Sequence, residues 1–444
     1  MVMPVNSVAE LAGARRPMPP RGGAFACRST RVIMAALTVA STLVVAACGN
    51  NGKPDASDAG GAGAANGSPI TILATSAVNS NLASLPQFFD VAQAYAKAVN
   101  AKGGVGGHPL RITTCDNQAS PNPTVACARQ ATSDKAVAVV GFAIVSPAYL
   151  KLLSDAKIPW VPGVARSPLE FTDSNSFPVT IGSDFSKVGG VALAAKAGCK
   201  TVSVITNSNF VAQAKQLRRL AKAQDITMKI VTYPSNASDA APYVSQLKGS
   251  ECLLIGDTSD QFTAQLGVAL AQSGVKFDQI IGQPTLTSEL VSKNPVVWEG
   301  ALIASTVTDK KAPEWSKFDA AVKEYVTTDQ SKHPAQQAQP TWVSMAVITN
   351  ALREMVGQHK KVTAVGLQTE LKTTKVADSD GTGPMLNFMQ TSPVPGSPRL
   401  FAPEIGISAV KDGAVVPAFD GQYYNIQPFL MGQKNTNMFF RPGS

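Results

Sequence analysis

From residue 70 onward the chain alternates between short apolar runs and longer stretches in which apolar residues recur every three or four positions. Ile70–Ala74 reads as a buried strand, Gln87–Val99 as a helix, Leu110–Thr114 as a strand and Asn122–Thr132 as a helix. Ala136–Gly141, Pro147–Asp155 and Ile158–Val161 continue as strand, helix and strand. Strands that alternate with helices at these lengths need crossover connections, so the pattern predicts a parallel sheet with helices on both faces. The alternation restarts with strands at Thr201–Thr206, Thr227–Tyr233, Cys252–Ile255 and Gln279–Ile281, separated by helices at Phe210–Ala223, Ala241–Lys248 and Ser259–Gln272. A second sheet of the same kind follows. Gly300–Thr306 reads as a strand leading back to the first lobe, and helices follow at Trp315–Thr327, Thr341–Val356 and Ala364–Thr373. Beyond Gly381 prolines and turn residues separate short strands at Ile405–Val410, Gly413–Pro417 and Gln422–Ile426. The predicted fold class is α/β, with two doubly wound parallel-sheet lobes.

One corner of this pattern is specific. Lys97-Ala-Val-Asn-Ala-Lys-Gly-Gly-Val-Gly-Gly-His-Pro-Leu110 ends a helix near Asn100, turns on four glycines and opens a strand that closes on Asp116-Asn117. Glycines just past a helix supply the positive φ that ends it and reverses the chain. This run resembles the signature of the leucine/isoleucine/valine-binding protein family, extracytoplasmic receptors of ABC importers with the type I periplasmic-binding fold. The resemblance covers roughly residues 69–430 and is strongest over 95–285. It implies a hinge crossed several times, with Phe177–Asp184 as the first crossing. The expected organisation is lobe one over 69–184, lobe two over 185–285, a return to lobe one over 286–380, and a tail over 381–444 that completes mainly lobe two.

In doubly wound sheets ligands sit outside the carboxyl ends of the strands. Ser146 follows a strand and precedes the proline that opens a helix, a position equally suited to capping that helix and to facing an anion. The resemblance places the ligand carboxylate against this serine region and the next loop, which here reads Pro162-Gly-Val164-Ala165-Arg166-Ser167-Pro168. Arg166 stands where amino-acid binders carry a small hydroxyl residue. Its guanidinium suits a carboxylate bidentately, and a solvated loop arginine is the alternative. In lobe two the strand ends offer Phe210, either a cover over the ligand or a core residue, Asp257, the one acid in those loops able to meet an ammonium, and Gln283. The acid that amino-acid binders carry after the last lobe-two strand is replaced by Gly282-Gln-Pro-Thr285, which weighs against a zwitterionic ligand.

Charge and cysteines add a location. The formal net charge is +9. Residues 1–47 hold five arginines and one acid, so +5 remains for the rest, scattered and without a basic run, and nucleic-acid binding is excluded. The basic start is followed by an uncharged apolar run, Val32–Ala47, that reads as a signal peptide over 1–47. It ends in Val45-Ala-Ala-Cys48, which resembles a bacterial lipobox and implies lipidation of Cys48 and attachment to the outer face of the cell membrane. The Gly/Ala-rich stretch to Ser68 is a flexible tether over 48–68. Cys115, Cys127, Cys199 and Cys252 allow three disulfide connectivities, and an exported protein permits them. In the usual doubly wound order the strands opened by Cys199 and Cys252 are neighbours, so a bridge there is geometrically reasonable, and Cys115 and Cys127 are the natural remaining pair.

The three histidines are isolated, and no zincin, Walker, dinucleotide or nucleophile-elbow motif occurs, so neither metal, cofactor nor catalysis is expected. The expected function is a monomeric solute-binding receptor that closes around a small polar ligand (an amino acid, amide or carboxylate) and delivers it to ABC permease subunits. A ligand sensor signalling to a partner protein, or a structural lipoprotein without a ligand, stands as the alternative.

Overall fold

The computed structural model describes residues 65–80, 84–434 and the backbone of 439–440. The leader, Cys48 and the tether up to residue 64 lie outside the described residues.

Lobe one is a four-stranded parallel sheet in the order β2-β1-β3-β4, from β1 (Ile70–Ser76), β2 (Leu110–Asp116), β3 (Ala138–Gly141) and β4 (Trp160–Pro162). Helices α1 (Gln87–Asn100), α2 (Pro121–Ser133) and α3 (Pro147–Asp155) form the crossovers. Successive residues of a strand point to opposite faces. Ile72 and Ala74 accordingly join the core shared with α1, while Leu73 joins the core with Tyr149 and Trp160. The glycine corner is as expected: Gly103, Gly104, Gly106 and Gly107 all take positive φ. Asn100 locks the corner, its amide donating to Leu110 O and accepting from Leu110 N at 2.9 and 2.8 Å.

The chain then crosses to lobe two and forms α4 (Ser183–Lys196), a helix the sequence pattern does not reveal. It continues through β5 (Thr201–Asn207), α5 (Val211–Ala223), β6 (Thr227–Tyr233), α6 (Ala241–Leu247), β7 (Cys252–Ile255), α7 (Asp260–Ser273), β8 (Gln279–Gly282), α8 (Ser288–Lys293), α9 (Pro295–Trp298) and β9 (Leu302–Ser305). Strand β9, read from sequence as leading back to lobe one, pairs parallel with β8 and extends the second sheet instead. The chain returns to lobe one as α10 (Ser316–Tyr325), α11 (Gln339–Gly357) and α12 (Ala364–Thr373). A third crossing leads to β10 (Glu404–Lys411), β11 (Ala414–Pro417), β12 (Tyr423–Asn425), α13 (Gln427–Leu430) and β13 (Phe439–Phe440). The second sheet runs β13-β12-β10-β9-β8-β7-β5-β6, with β11 on β10. It is parallel from β6 to β9 and antiparallel beyond.

Both expected disulfides are formed. Cys115 of β2 bonds Cys127 of α2, and Cys199, two residues ahead of β5, bonds Cys252 at the start of β7. Among the described residues no helix is long and apolar enough to cross a membrane.

Candidate functional site

The strand-end loops of lobe one are held by the Asp116-Asn117 pair. The Asp116 carboxylate accepts from Val78 N at 2.9 Å, Asn79 N at 3.0 Å, Asn79 Nδ2 at 2.8 Å and Gln118 N at 2.9 Å. Partial burial raises its pKa, but these donors outweigh it and hold the group below its ordinary range. Buried Asn117 donates to Thr75 Oγ1 at 3.0 Å and Phe142 O at 2.6 Å, so β1, β2 and β3 end in one stitched surface.

On that surface Phe142 carries Arg166, whose Cζ lies 5.3 Å from the ring centroid. Arg166 is exposed, and among the described residues its guanidinium meets no carboxylate. Its loop is held from below by Glu170, which is 1% exposed. The Glu170 carboxylate accepts from Arg166 N at 2.8 Å, Ser167 N at 2.9 Å and Trp160 Nε1 at 3.0 Å. Burial pushes this carboxyl up to about 7 even though those donors and the Arg166 charge favour its ionised form. Ser167 caps the short helical turn that bears Glu170, its Oγ accepting from Leu169 N.

The same loop meets lobe two at the first turn of α4. Ser183 N donates to Ala165 O at 3.0 Å, and Phe171 packs edge-on against Phe185 with centroids 5.2 Å apart. One turn on, Lys187 is buried with its side chain 9% exposed. It pairs with Asp257 Oδ1 at 2.8 Å and Asp184 Oδ1 at 3.2 Å, and its Nζ lies 5.9 Å from the Phe210 centroid. Asp257, read from sequence as free for a ligand ammonium, is thus engaged by a protein ammonium. Gln283, directly after β8, is buried against α4, its Nε2 3.9 Å from where a Cβ on Gly190 would stand, and among the described residues that Nε2 has no partner. Ser183 Oγ is likewise buried without one.

Around α4 the structure brings the Ala165 carbonyl of lobe one to Ser183, Asp257 and Phe210 of lobe two to Lys187, and Gln283 to Gly190, while among the described residues no hydrogen bond, ion pair or ring contact joins Arg166 or Ser167 to them. Ser146 serves as the cap of α3, its Oγ accepting from Tyr149 N at 3.3 Å, and Val164 is half-buried at the start of the loop. Among the described residues no hydrogen bond, ion pair or ring contact joins either to the α4 cluster. Sequence reasoning missed Lys187, Asp184 and Glu170. Lys187 and Asp184 lie on α4, which the sequence pattern does not reveal, so no sequence signal pointed to them.

Residues 69–391 match the family model described as periplasmic binding protein. A fatty acid ABC transporter substrate-binding protein from Thermomonospora curvata is 16% identical, with 84% of this chain and 96% of that one covered at a TM-score of 0.62. A leucine-binding protein from Thermotoga maritima is 18% identical over 78% and 97% of the two chains, TM-score 0.57. A branched-chain amino acid substrate-binding protein from Streptococcus pneumoniae, solved with isoleucine, is 16% identical over 78% and 99%, TM-score 0.59. No curated protein matches in sequence. With the family model spanning most of the chain, and with the two-lobe type I fold shared with the leucine- and isoleucine-binding structures, the chain belongs to the periplasmic binding protein family.

Proposed function

We propose that the protein is the extracytoplasmic solute receptor of an ABC importer, tethered to the membrane through a lipid on Cys48, and that it closes its lobes around a small organic carboxylate. The observation that carries the ligand class is the imbalance of donors and acceptors around α4. Among the described residues Arg166 meets no carboxylate, Gln283 Nε2 and Ser183 Oγ are buried without partners, and the acids Asp184 and Asp257 are both bound to Lys187. A buried donor left unsatisfied costs about 1–3 kcal/mol. A ligand that brings acceptor oxygens recovers that cost, whereas a ligand ammonium has to compete with Lys187 for Asp257.

Closure follows from the site's construction. Its residues come from the ends of two sheets joined by several crossings of the chain. A ligand held by Arg166 on one side and by the α4 turn on the other stabilises the closed arrangement by the difference in its contacts between the two states. Two of the structurally similar proteins are named for fatty acid and branched-chain amino acid transport, and the import role is taken from that kinship.

The test is a thermal-shift and calorimetric screen of the purified protein against amino acids, amides, carboxylates, sugars and polyamines. A ligand that binds only the folded state raises its melting temperature by mass action. Carboxylates are expected to give the shift, and Arg166→Ala is expected to abolish it while leaving the ligand-free melting temperature unchanged. A carboxylate hit that survives Arg166→Ala refutes the role given to Arg166, and a hit confined to amines refutes the ligand class.

A further inference from the structure

A surface cavity, sharing no residue with the α4 cluster, lies between lobe one and the third crossing. It measures about 510 Å³ and is walled by Thr172 and Ser174, by Lys372 at the end of α12, and by the stretch carrying Phe388, Arg399 and Phe401. Arg399 is its most unusual wall. The guanidinium carbon lies 4.8 Å from the ring centroids of both Phe177 and Phe401, so the cation is held between two aromatic faces. Its Nε donates to Ser176 O at 2.6 Å, and its Nη2 is buried without an acceptor. Burial pushes the group down to about 10, although the charge of Asp173 opposes the shift.

No lining residue of this cavity is acidic, and Lys372 is exposed and forms no ion pair among the described residues. Asp173 is the nearby acid, and its Oδ1 is occupied by Asn175 N at 2.8 Å. An arginine fixed in plane, with unspent donors and a lysine beside it, fits a planar anion. The aromatic surface of Phe388 and Phe401, edge to face with centroids 5.0 Å apart, fits an apolar body attached to that anion. We infer that this cavity is an accessory site for an organic carboxylate with a ring or short alkyl body, separate from the site at α4. Because its walls come from lobe one and from the third crossing, its occupant ties that crossing to lobe one.

Calorimetric titration with benzoate tests the assignment, with benzamide as the neutral shape-match and inorganic phosphate as the anion without an apolar body. Wild-type protein is expected to show a one-to-one benzoate component with Kd below about 1 mM, and at least tenfold weaker binding of both comparison compounds. Lys372→Glu, a change at an exposed side chain, is expected to weaken that component at least tenfold, and Arg399→Gln to remove it. Should Arg399→Gln fail to fold, as its melting curve would report, the Lys372→Glu result decides. The inference is overturned by the absence of benzoate binding, by the lack of any benzoate component that Lys372→Glu weakens, or by phosphate or benzamide binding to that component as tightly as benzoate. Arg399 would then be a structural staple joining Ser176 and Phe171 to the third crossing.

Discussion

Replacing Glu170 with glutamine should remove a pH dependence of stability that the buried carboxylate builds in. The group titrates at about 7 in the folded protein against its ordinary 4.5, chiefly because burial penalises its charge. Between those two values the folded state binds more protons than the unfolded state, so stability falls as pH rises from about 4.5 to about 7 and is level above that. At 1.36 kcal/mol per pH unit of displacement, the loss amounts to about 3 kcal/mol. The glutamine cannot reproduce the full hydrogen bonding. With its oxygen accepting from Arg166 N and Ser167 N, its amide group faces Trp160 Nε1, donor against donor, which costs about 1–3 kcal/mol. The variant is therefore expected to be the less stable protein near pH 5 and to draw level with the wild type toward pH 8. Urea unfolding followed by tryptophan fluorescence at pH 5, 6, 7 and 8 reads both proteins. The two proteins differ only at residue 170, so the difference between their curves isolates that residue. Parallel curves would refute the reasoning, because they would mean that Glu170 has the same proton affinity folded and unfolded. The carboxylate that titrates is also the one holding the Arg166 loop.

Lys187→Met removes the ammonium shared by Asp257 and Asp184; with both partners of the 2.8 Å pair largely buried, the loss is expected to be about 2–4 kcal/mol. Adding Asp257→Asn should recover part of it, and simple additivity of the two changes in melting experiments would contradict the pairing. Removing the Cys199–Cys252 bridge, whose ends are 53 residues apart, is expected to cost about 4 kcal/mol against about 3 kcal/mol for Cys115–Cys127 with its separation of 12. Alanine pairs compared by urea unfolding check that order, and the reverse order would show that loop closure does not govern their contribution. Cys48→Ala should move the protein from the membrane fraction to the soluble extracytoplasmic fraction, and continued membrane association with lipid label would overturn the proposed anchor.

The alternation of strands and helices was legible because each buried strand here is short and each crossover helix has a polar side. Helices α1 and α3 and strand β2 begin where the pattern places them, and the glycine corner between α1 and β2 announces itself by composition. Helix α4 failed to announce itself for a physical reason. Ser186 to Ala194 are buried without interruption, so no polar stripe marks a helical period, and Gly189-Gly190 lowers the helix propensity of its middle. Those glycines are what its packing requires. A Cβ on Gly189 would stand 2.7 Å from Ile405 Cδ1, and one on Gly190 would stand 2.7 Å from Leu254 Cδ1, so the helix lies against the second sheet at a distance that admits no side chain. The consequence passes directly to the site. Arg166, Asp257 and Gln283 were found by locating strand ends, a rule that needs only the strands. Lys187, Asp184 and Ser183 sit on the unrecognised helix, and with them the neutralisation of Asp257 was hidden. Charge balance at a ligand site is a property of groups brought together from distant segments, so a missed helix changes the inferred ligand even when every strand is assigned.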